Sequence, residues 1–379
     1  MTGNGAGEQA RSRDVVSAAA ARGPLAMEAV SLAKDFRLGR GQVLHAVRDV
    51  SFALYRGAVV ALVGESGSGK STVARLLAGQ ERLTSGEIRL DGAPVDPSTR
   101  SAFRRHKSEV QLVFQDPFSS LNPVHTVRHH LERPVRLHQG RRSRAEVARE
   151  VAALLDQVRL IPADQFTGKY PYELSGGQRQ RVSFARALAA KPSVLLADEP
   201  VSMLDVSIRL EMLSLLDDLR QRFRLALLYI THDIASARYF ADEVLVMYAG
   251  QIVERGPAEE LTQHPAHPYT QLLVASAPDP DNLGGGLRSF HPPGAALSGA
   301  APRPAADSAA PSTTATYQPA AANLADRGCP FSPRCPFADD RCRAEDPALL
   351  PVAPARAAAC WHLDIAAPEV LAGEQRGGG

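Results

Sequence analysis

Between Ala26 and Pro278, short apolar runs alternate with stretches whose apolar residues recur at helical spacing. The clearest runs, VVALVG from Val59 and LALLYI from Leu225, have the length of buried strands. Strands that alternate with helices predict an α/β fold with a mostly parallel sheet. The same runs are much shorter than the roughly 18 apolar residues of a membrane span, so no transmembrane helix is predicted.

Composition separates this core from less regular segments. Residues 1–25 are rich in Gly, Ala and polar residues without an apolar stretch, which predicts a disordered tail, no signal peptide and a protein kept in the cytosol. Residues 279–327 are rich in Gly, Ala, Pro and Ser and predict a flexible linker. Residues 328–364 are predicted to form a small Cys-rich module, followed by a tail at residues 365–379.

Length and charge limit the classes of protein that fit. The 379 residues suffice for one large or two modest domains. Lys and Arg number 43 against 41 Asp and Glu, so the formal net charge is only +2. Because a protein that binds along nucleic acid needs a strongly basic surface, we expect no nucleic-acid partner.

The strongest chemical motif is GESGSGKS at residues 64–71, which fits the P-loop pattern G-x-x-x-x-G-K-S/T between a strand-like run and a helical one. Its glycines let backbone N–H groups point at phosphate oxygens, and the start of the next helix adds a positive dipole end. We expect Lys70 to reach the β and γ phosphates and Ser71 to ligate Mg²⁺. The nucleotide-binding residues predicted here are Gly64, Glu65, Ser66, Gly67, Ser68, Gly69, Lys70, Ser71 and Thr72.

A second motif, SVLLADEP at residues 193–200, is an apolar run that ends in two acids. Ligands of parallel sheets bind at the carboxyl ends of the strands, where these acids are expected. Asp198 is expected to hold Mg²⁺ through the water shell of the metal, and Glu199 to polarise the attacking water as general base. A lone acidic pair is more often a solvated turn, so its weight comes from following a P-loop.

The stretch LSGGQRQR at residues 174–181 resembles the signature motif of the ABC (ATP-binding cassette) family. The resemblance covers residues 26–278 and implies a P-loop NTPase domain with a RecA-like core, an antiparallel β subdomain and a helical signature subdomain at about 118–185. In this family the signature contacts the γ-phosphate of ATP held by the opposite subunit. That role is carried over to Ser175, Gly176, Gly177 and Gln178.

A chain with one P-loop and one signature holds half of each of two ATP sites. The resemblance therefore implies a head-to-tail dimer with two ATP molecules at its interface. Gln115 matches the family glutamine that contacts Mg²⁺ and water, and His232 matches the histidine that contacts the γ-phosphate. Together with Glu199 they are the expected catalytic residues, and Ser71, Gln115 and Asp198 the expected Mg²⁺ ligands.

Two further family positions are less constrained. Phe36 stands where an aromatic side chain usually stacks on adenine, although a core strand residue would look the same, and His45 is a competing candidate. Residues 202–205 (SMLD) match the D-loop, which crosses the dimer interface. Val201 and Met203 replace the Thr and the small residue usual there, which indicates a specialised interface.

Three local stretches resemble the ATPases of oligopeptide/dipeptide and nickel importers. They are FQDPFSSLNP at 114–123, HPYTQLLVASAP at 267–278 and GCPFSPRCPFADDRCRAEDP at 328–347, followed by CWH. This resemblance implies import of peptides or related small solutes, with a second, non-identical ATPase subunit, two membrane permeases and an extracytoplasmic solute-binding protein. It places the chain peripherally at the cytoplasmic face of the membrane. The substrate itself is not encoded in this chain.

Two other functions remain open at this point. One is a non-transport ABC ATPase, although the chain has neither a second cassette nor heptad runs. The other is a metal-sensing module fused to a degenerate ATPase. The intact Lys70, Asp198, Glu199 and His232 argue against degeneracy.

The four cysteines of the chain lie within 32 residues, at Cys329, Cys335, Cys342 and Cys360. Their spacing matches neither a C-x-x-C zinc knuckle nor the ferredoxin patterns. In a reducing cytosol such clustering suggests metal ligation more than disulfides, and four thiolates suit either tetrahedral Zn²⁺ or a 4Fe–4S cluster. The family resemblance favours the iron–sulfur cluster, and four unligated thiols are the remaining alternative.

Overall fold

The computed structural model describes residues 23–38, 42–96, 98–116, 120–140, 142–277 and 328–367. Most of the expected tail at 1–25, the whole expected linker at 279–327 and most of 365–379 lie outside these residues. The strands are β1 (Leu25–Arg37), β2 (Val43–Tyr55), β3 (Val59–Val63), β4 (Ser85–Leu90), β5 (Ala93–Pro94), β6 (Val110–Val113), β7 (Val194–Asp198), β8 (Ala226–Thr231), β9 (Glu243–Tyr248), β10 (Gln251–Pro257), β11 (Leu350–Ala353) and β12 (Arg356–Ala358). The α-helices are α1 (Lys70–Leu77), α2 (Arg100–Glu109), α3 (Val127–His138), α4 (Arg144–Gln157), α5 (Asp164–Thr167), α6 (Gly176–Leu188), α7 (Val206–Phe223), α8 (Ile234–Phe240), α9 (Ala258–Gln263), α10 (Pro268–Ser276), α11 (Asp340–Ala344) and α12 (Leu363–Ala366).

The larger sheet has the strand order β11-β12-β10-β9-β3-β8-β7-β6. Five adjacent strands of this sheet, β9, β3, β8, β7 and β6, run parallel to one another, as predicted for an alternating α/β chain. The carboxyl ends of β3, β8, β7 and β6 therefore lie next to one another along one edge. Residues that directly follow these strands are brought together there.

Strand β3 shows why this sheet is buried on both faces. Its side chains alternate between the faces, as they must in a strand. Val59, Ala61 and Val63 belong to one hydrophobic cluster, and Val60 and Leu62 belong to the other. All five are at most 2% exposed, which explains why the run is continuously apolar rather than alternating.

A second, four-stranded antiparallel sheet has the order β2-β1-β4-β5. Its register pairs Phe36 with Leu44 and Asp35 with His45 across β1 and β2. Residues directly opposite in an antiparallel pair share a face of the sheet. Phe36 and His45, the two candidates for adenine contact, therefore belong to different cross-strand pairs.

Helices α3, α4 and α6 pack against one another and form the helical part of the molecule. Helix α4 begins at a capping box, in which the Ser143 hydroxyl accepts from the Glu146 N–H and the Glu146 carboxylate accepts from the Ser143 N–H. Its buried residues, Val147, Val151 and Leu154, recur at helical spacing. Every helix in the described ranges is too short or too polar to cross a lipid bilayer.

The segment at residues 328–364, expected as a small Cys-rich module, is joined to the main sheet. Strand β12 pairs antiparallel with β10, and β11 pairs with β12, so this segment continues the main sheet. The physical reason is that β10 would otherwise end the sheet with unpaired backbone groups. A buried ion pair joins the two strands, because the Arg356 guanidinium lies 3.3 Å from the fully buried Glu254 carboxylate.

Candidate nucleotide site

The P-loop leaves the buried strand β3 and ends at the first turn of α1, as the motif predicts. Two of its glycines are required by close backbone approaches. A Cβ on Gly64 would lie 2.1 Å from the Met247 carbonyl oxygen, and one on Gly69 would lie 2.3 Å from that of Ala46. Gly69 also has a φ of +106°, which strains any residue with a side chain. The loop is therefore shaped against β9 and β2 as well as by its own sequence.

Lys70 is folded over the P-loop. Its Nζ donates hydrogen bonds to the carbonyl oxygens of Gly64 at 2.7 Å and Glu65 at 2.8 Å. Burial lowers the pKa of Lys70, while the carboxylates of Glu199, Asp198 and Glu65 act in the opposite direction. A buried ammonium surrounded by the loop is placed to meet an anionic ligand.

Ser71 and Asp198 face each other across the start of α1 and the end of β7. The Ser71 hydroxyl donates to the Asp198 Oδ1 at 3.1 Å. Burial raises the pKa of Asp198, and the Ser71 hydrogen bond opposes that effect. A hydroxyl and a carboxylate side by side are the oxygen donors that Mg²⁺ prefers, so the residues fit the ion that the motif implies.

The three expected catalytic residues meet at one carboxylate. Gln115 follows β6, Glu199 follows β7 and His232 follows β8, which are neighbours in the sheet. The Gln115 Nε2 donates to the Glu199 Oε2 at 2.9 Å, and the His232 Nδ1 lies 3.3 Å from the same oxygen. The Glu199 backbone is fixed by a hydrogen bond from its N–H to the Ile230 carbonyl at 2.9 Å. A carboxylate held in this way at the mouth of a phosphate loop is suited to orient water.

A cleft of about 780 Å³ joins these groups. It is lined by Phe36, Leu44, Ala46, Glu65, Ser66, Gly67, Gly69, Lys70, Ser71, Thr72, Gln115, Glu199, His232 and Leu273. Phe36 and its cross-strand partner Leu44 thus reach the cleft together. His45 instead places its Nδ1 2.8 Å from the Asp35 carboxylate, so the geometry favours Phe36 as the aromatic residue for a base.

The signature residues lie apart from this cleft, since Ser175, Gly176, Gly177 and Gln178 are not among its lining residues. Ser175 caps the N-terminus of α6, where its hydroxyl accepts from the Gln178 N–H at 3.2 Å. The expected D-loop lies beside it, because a Cβ on Gly176 would be 3.6 Å from the Leu204 side chain. Met203 is 60% exposed. The cleft at the phosphate loop is therefore not lined by the signature residues of the same chain.

Several residues of the cleft region were not predicted from the sequence, among them Tyr269, Leu273 and Arg334. Tyr269 accepts a hydrogen bond from the Glu65 N–H at 2.8 Å through its hydroxyl, and Leu273 of the same helix α10 lines the cleft. Arg334 makes a bidentate pair with the Glu65 carboxylate at 3.0 to 3.1 Å. The HPYT motif contained the signal for Tyr269, but it served only to indicate the family.

The four cysteines lie near one another but are not arranged as a finished tetrahedral site. Burial raises the pKa of Cys329 to about 11 and that of Cys360 to about 12, and the neighbouring thiols add to both shifts. Among the described residues, the metal-ligating groups that come within 4.8 Å of one another are Asp339, Cys342 and His362. Four sulfurs around one Zn²⁺ at about 2.3 Å would be closer together than this arrangement places them.

Comparison with known proteins decides the family. The family model described as "ABC transporter" matches residues 47–202, and the one described as "Oligopeptide/dipeptide transporter, C-terminal region" matches residues 253–292 and 286–342. A probable peptide ABC transporter ATP-binding protein of Sinorhizobium fredii is 42% identical over 320 residues, which are 84% of this chain and 82% of that protein. The chain belongs to the oligopeptide/dipeptide family of ABC transporter ATP-binding proteins. It is an ABC ATPase, as the motifs predicted.

Other relatives and solved structures agree. The di/tripeptide transport ATP-binding protein DppF of Pseudomonas aeruginosa is 38% identical over 351 residues, 89% of this ABC ATPase and 99% of DppF. Among solved structures, CbiO1 of Clostridium perfringens, part of the ABC transporter complex CbiONQ, gives a TM-score of 0.56 at 26% identity, over 63% of this chain and 91% of that one. The dimeric MJ0796 ABC transporter cassette gives 0.55 at 26% identity, over 62% and 99%. The expected cassette fold is confirmed.

Proposed function

We propose that this ABC ATPase hydrolyses ATP to power the import of oligopeptides, dipeptides or related small solutes. The main support for this proposal is that Gln115 and His232 both contact the Oε2 of Glu199 beside the P-loop. An intact hydrolytic site of this kind argues against a degenerate sensor. Its relatives include peptide transport ATP-binding proteins, which supports transport of peptides over a non-transport role.

Each group of the cleft takes one part in this proposal. The P-loop backbone and Lys70 bind the β and γ phosphates, and Phe36 supports the adenine ring. Glu199 orients the attacking water and accepts its proton, while His232 contacts the γ-phosphate. Ser71, Asp198 and Gln115 would hold Mg²⁺, which supplies charge neutralisation between the phosphates when it is bound.

The separation of the signature from the cleft supports a shared site. Ser175 to Gln178 have no cavity in common with the P-loop of their own chain. The start of α6 presents free backbone N–H groups, which favour an anion from another subunit. We infer a head-to-tail pair with a second, non-identical ATPase subunit. Two membrane permeases and an extracytoplasmic binding protein complete the importer, and this chain lies on the cytoplasmic face of the membrane.

The cysteine segment is proposed to bind a 4Fe–4S cluster through Cys329, Cys335, Cys342 and Cys360. Neutral buried thiols are costly to ionise, and a cationic centre removes that cost, so ligation would stabilise the segment. Protein purified without oxygen should absorb near 400 nm and contain iron and sulfide, and Cys335→Ser should lose both. A colourless protein with stoichiometric zinc would support the alternative Zn²⁺ site instead.

Transport is tested with the complete complex. Co-expression with candidate permease subunits should yield a membrane complex, which is then reconstituted in vesicles and supplied with a solute-binding protein. Peptides of two to six residues and a nickel chelate are offered on the binding-protein side. Uptake should require ATP and be abolished by Glu199→Gln, which removes the general base but leaves nucleotide binding intact. ATPase activity without any permease partner would favour a non-transport role.

A further inference from the structure

Glu65 places a carboxylate inside a loop built to bind phosphate. Its side chain lines the cleft and is 24% exposed. It is close enough to Lys70 to affect the pKa of that lysine. A carboxylate at this position would repel the negative charges of a triphosphate unless another cation offset it.

Arg334 supplies that cation from the other end of the chain. One terminal nitrogen of its guanidinium lies 3.1 and 3.0 Å from the two Glu65 oxygens, and the other lies 3.1 Å from Oε1. Such fork-like pairing is stronger and more directional than a contact from lysine. The guanidinium carbon is also 5.6 Å from the Phe331 ring centre and 6.0 Å from that of Tyr248, so aromatic faces support it.

The turn that carries Arg334 is fixed independently of any nucleotide. It lies between Cys329 and Cys335, and the Arg334 N–H donates to the Phe331 carbonyl at 2.9 Å. Phe331 is 2% exposed and packs edge-on against Tyr248 at 5.4 Å. The position of the guanidinium is therefore set by the folded C-terminal segment.

We propose that Arg334 is a positioning residue of the ATP site, which neutralises Glu65 and holds the P-loop for the triphosphate. The C-terminal segment thereby sets the affinity of the chain for MgATP. This inference rests on the proposed binding of ATP at the P-loop. It assigns a nucleotide-affinity role to a residue outside the ATPase motifs.

Equilibrium binding of MgATP to the full-length chain tests the proposal. Arg334→Met should raise the Kd about three- to tenfold, because it removes the Arg334 counter-charge from a partly buried carboxylate beside the phosphates. Arg334→Lys keeps the charge but not the fork and should fall between wild type and Arg334→Met. In the assembled complex, the KM for MgATP should rise with little change in kcat, since Arg334 touches no reacting atom.

A double variant that restores MgATP binding distinguishes the loss of charge neutralisation from a general loss of folding. The double variant Arg334→Met with Glu65→Gln should bind MgATP more tightly than Arg334→Met alone, because no charge is left unpaired. Arg343→Met is the matched control, since Arg343 pairs with Asp340 on the exposed surface of the same segment. Wild-type affinity in Arg334→Met, or a double variant no tighter than the single one, would overturn the proposal. Lys70→Ala tests the underlying site separately, because loss of binding there shows that ATP occupies the P-loop whatever Arg334 does.

Discussion

At the scale of single residues, the HPYT motif shows how a family marker has a local physical cause. His267 is the N-cap of α10, and its Nδ1 accepts a hydrogen bond from the Tyr269 N–H at 3.0 Å. Pro268 takes the first helical position, where its missing N–H costs nothing. Tyr269 then reaches the P-loop through its hydroxyl. An acceptor at Nδ1 requires that the buried imidazole be neutral.

This neutrality predicts a specific acid sensitivity. Burial lowers the pKa of His267 to about 3, from an ordinary value of about 6.5. The unfolded chain therefore binds a proton that the folded chain rejects, and stability is lost as the pH falls from about 6.5 toward 3. His267→Asn keeps a capping acceptor without a titrating group. The stability advantage of wild type over His267→Asn should shrink by about 2 kcal/mol between pH 6.5 and 5.

Chemical unfolding of both proteins across this pH range measures the difference. Burial raises the pKa of the adjacent Glu254, which gives an opposite slope, but Glu254 is common to both proteins and cancels in the comparison. A constant difference between wild type and His267→Asn would show that His267 is protonated in the folded state.

Single residues also show which features of the site the sequence predicts well. The P-loop, the acidic pair and the signature each lie where the local pattern puts them, because each spans one strand end or one helix start. The meeting of Gln115, Glu199 and His232 is different, since it depends on the order β8-β7-β6 in the sheet. No spacing in the chain encodes that order, and only resemblance to a family suggested it.

At the scale of elements, the junction of β10 with β12 decides how firmly the C-terminal segment is attached. Glu254 accepts from the N–H groups of Ala266 and His267, both at 2.8 Å, and Arg356 provides its counter-charge. Arg356 also donates to the His264 carbonyl. One buried carboxylate thus ties together β10, the entry to α10 and β12.

Removing one member of this buried pair should be costly. Arg356→Met leaves the Glu254 carboxylate buried without a cation, and the free energy of unfolding should fall by about 3–5 kcal/mol. Thermal or urea unfolding of the full-length chain measures the loss. Arg343→Met removes only an exposed pair and should change stability by less than about 1 kcal/mol. A small effect of Arg356→Met would mean that water or relaxation compensates the charge.

These two strands were not predicted from the sequence. Strand β11 has the sequence LPVA and β12 has RAA, so neither shows the apolar alternation or β-branched run that marks a strand. Their strand conformation comes from pairing with β10, a partner about 100 residues earlier in the chain. Tertiary pairing of this kind overrides local propensity. The composition of the segment therefore indicated a Cys-rich module but not its attachment to the main sheet.

At the scale of the whole molecule, contacts between distant parts of the chain connect the C-terminal segment to the phosphate loop. Arg334 and Glu65 are 269 positions apart, yet they form a bidentate pair. The signature, in contrast, is close in sequence to the acidic pair but lies outside the cleft. The C-terminal segment therefore contacts the phosphate loop of its own chain, whereas the signature is not among the residues that line the same cleft.

This division predicts different outcomes for two kinds of variant. Ser175→Arg blocks the start of α6 at a residue that does not line the cleft, so the chain should bind MgATP with wild-type affinity. Hydrolysis by the assembled complex should fall about 100-fold or more at the site of the partner subunit, because a preorganised anion contact in the transition state is lost. Lys70→Ala should instead lose both binding and hydrolysis at the site of this chain.

Equilibrium binding to the isolated chain and ATPase rates of the complex separate these effects. The partner subunit carries a general-base substitution in one set of complexes, so that each of the two sites is measured alone. When the ATP site of the partner subunit is inactive, Ser175→Arg should change the ATPase rate of the complex little. Lys70→Ala should remove the remaining ATPase activity. If Ser175→Arg weakened MgATP binding to its own chain, the signature would act within one subunit, and a dimer would not be needed to complete the site.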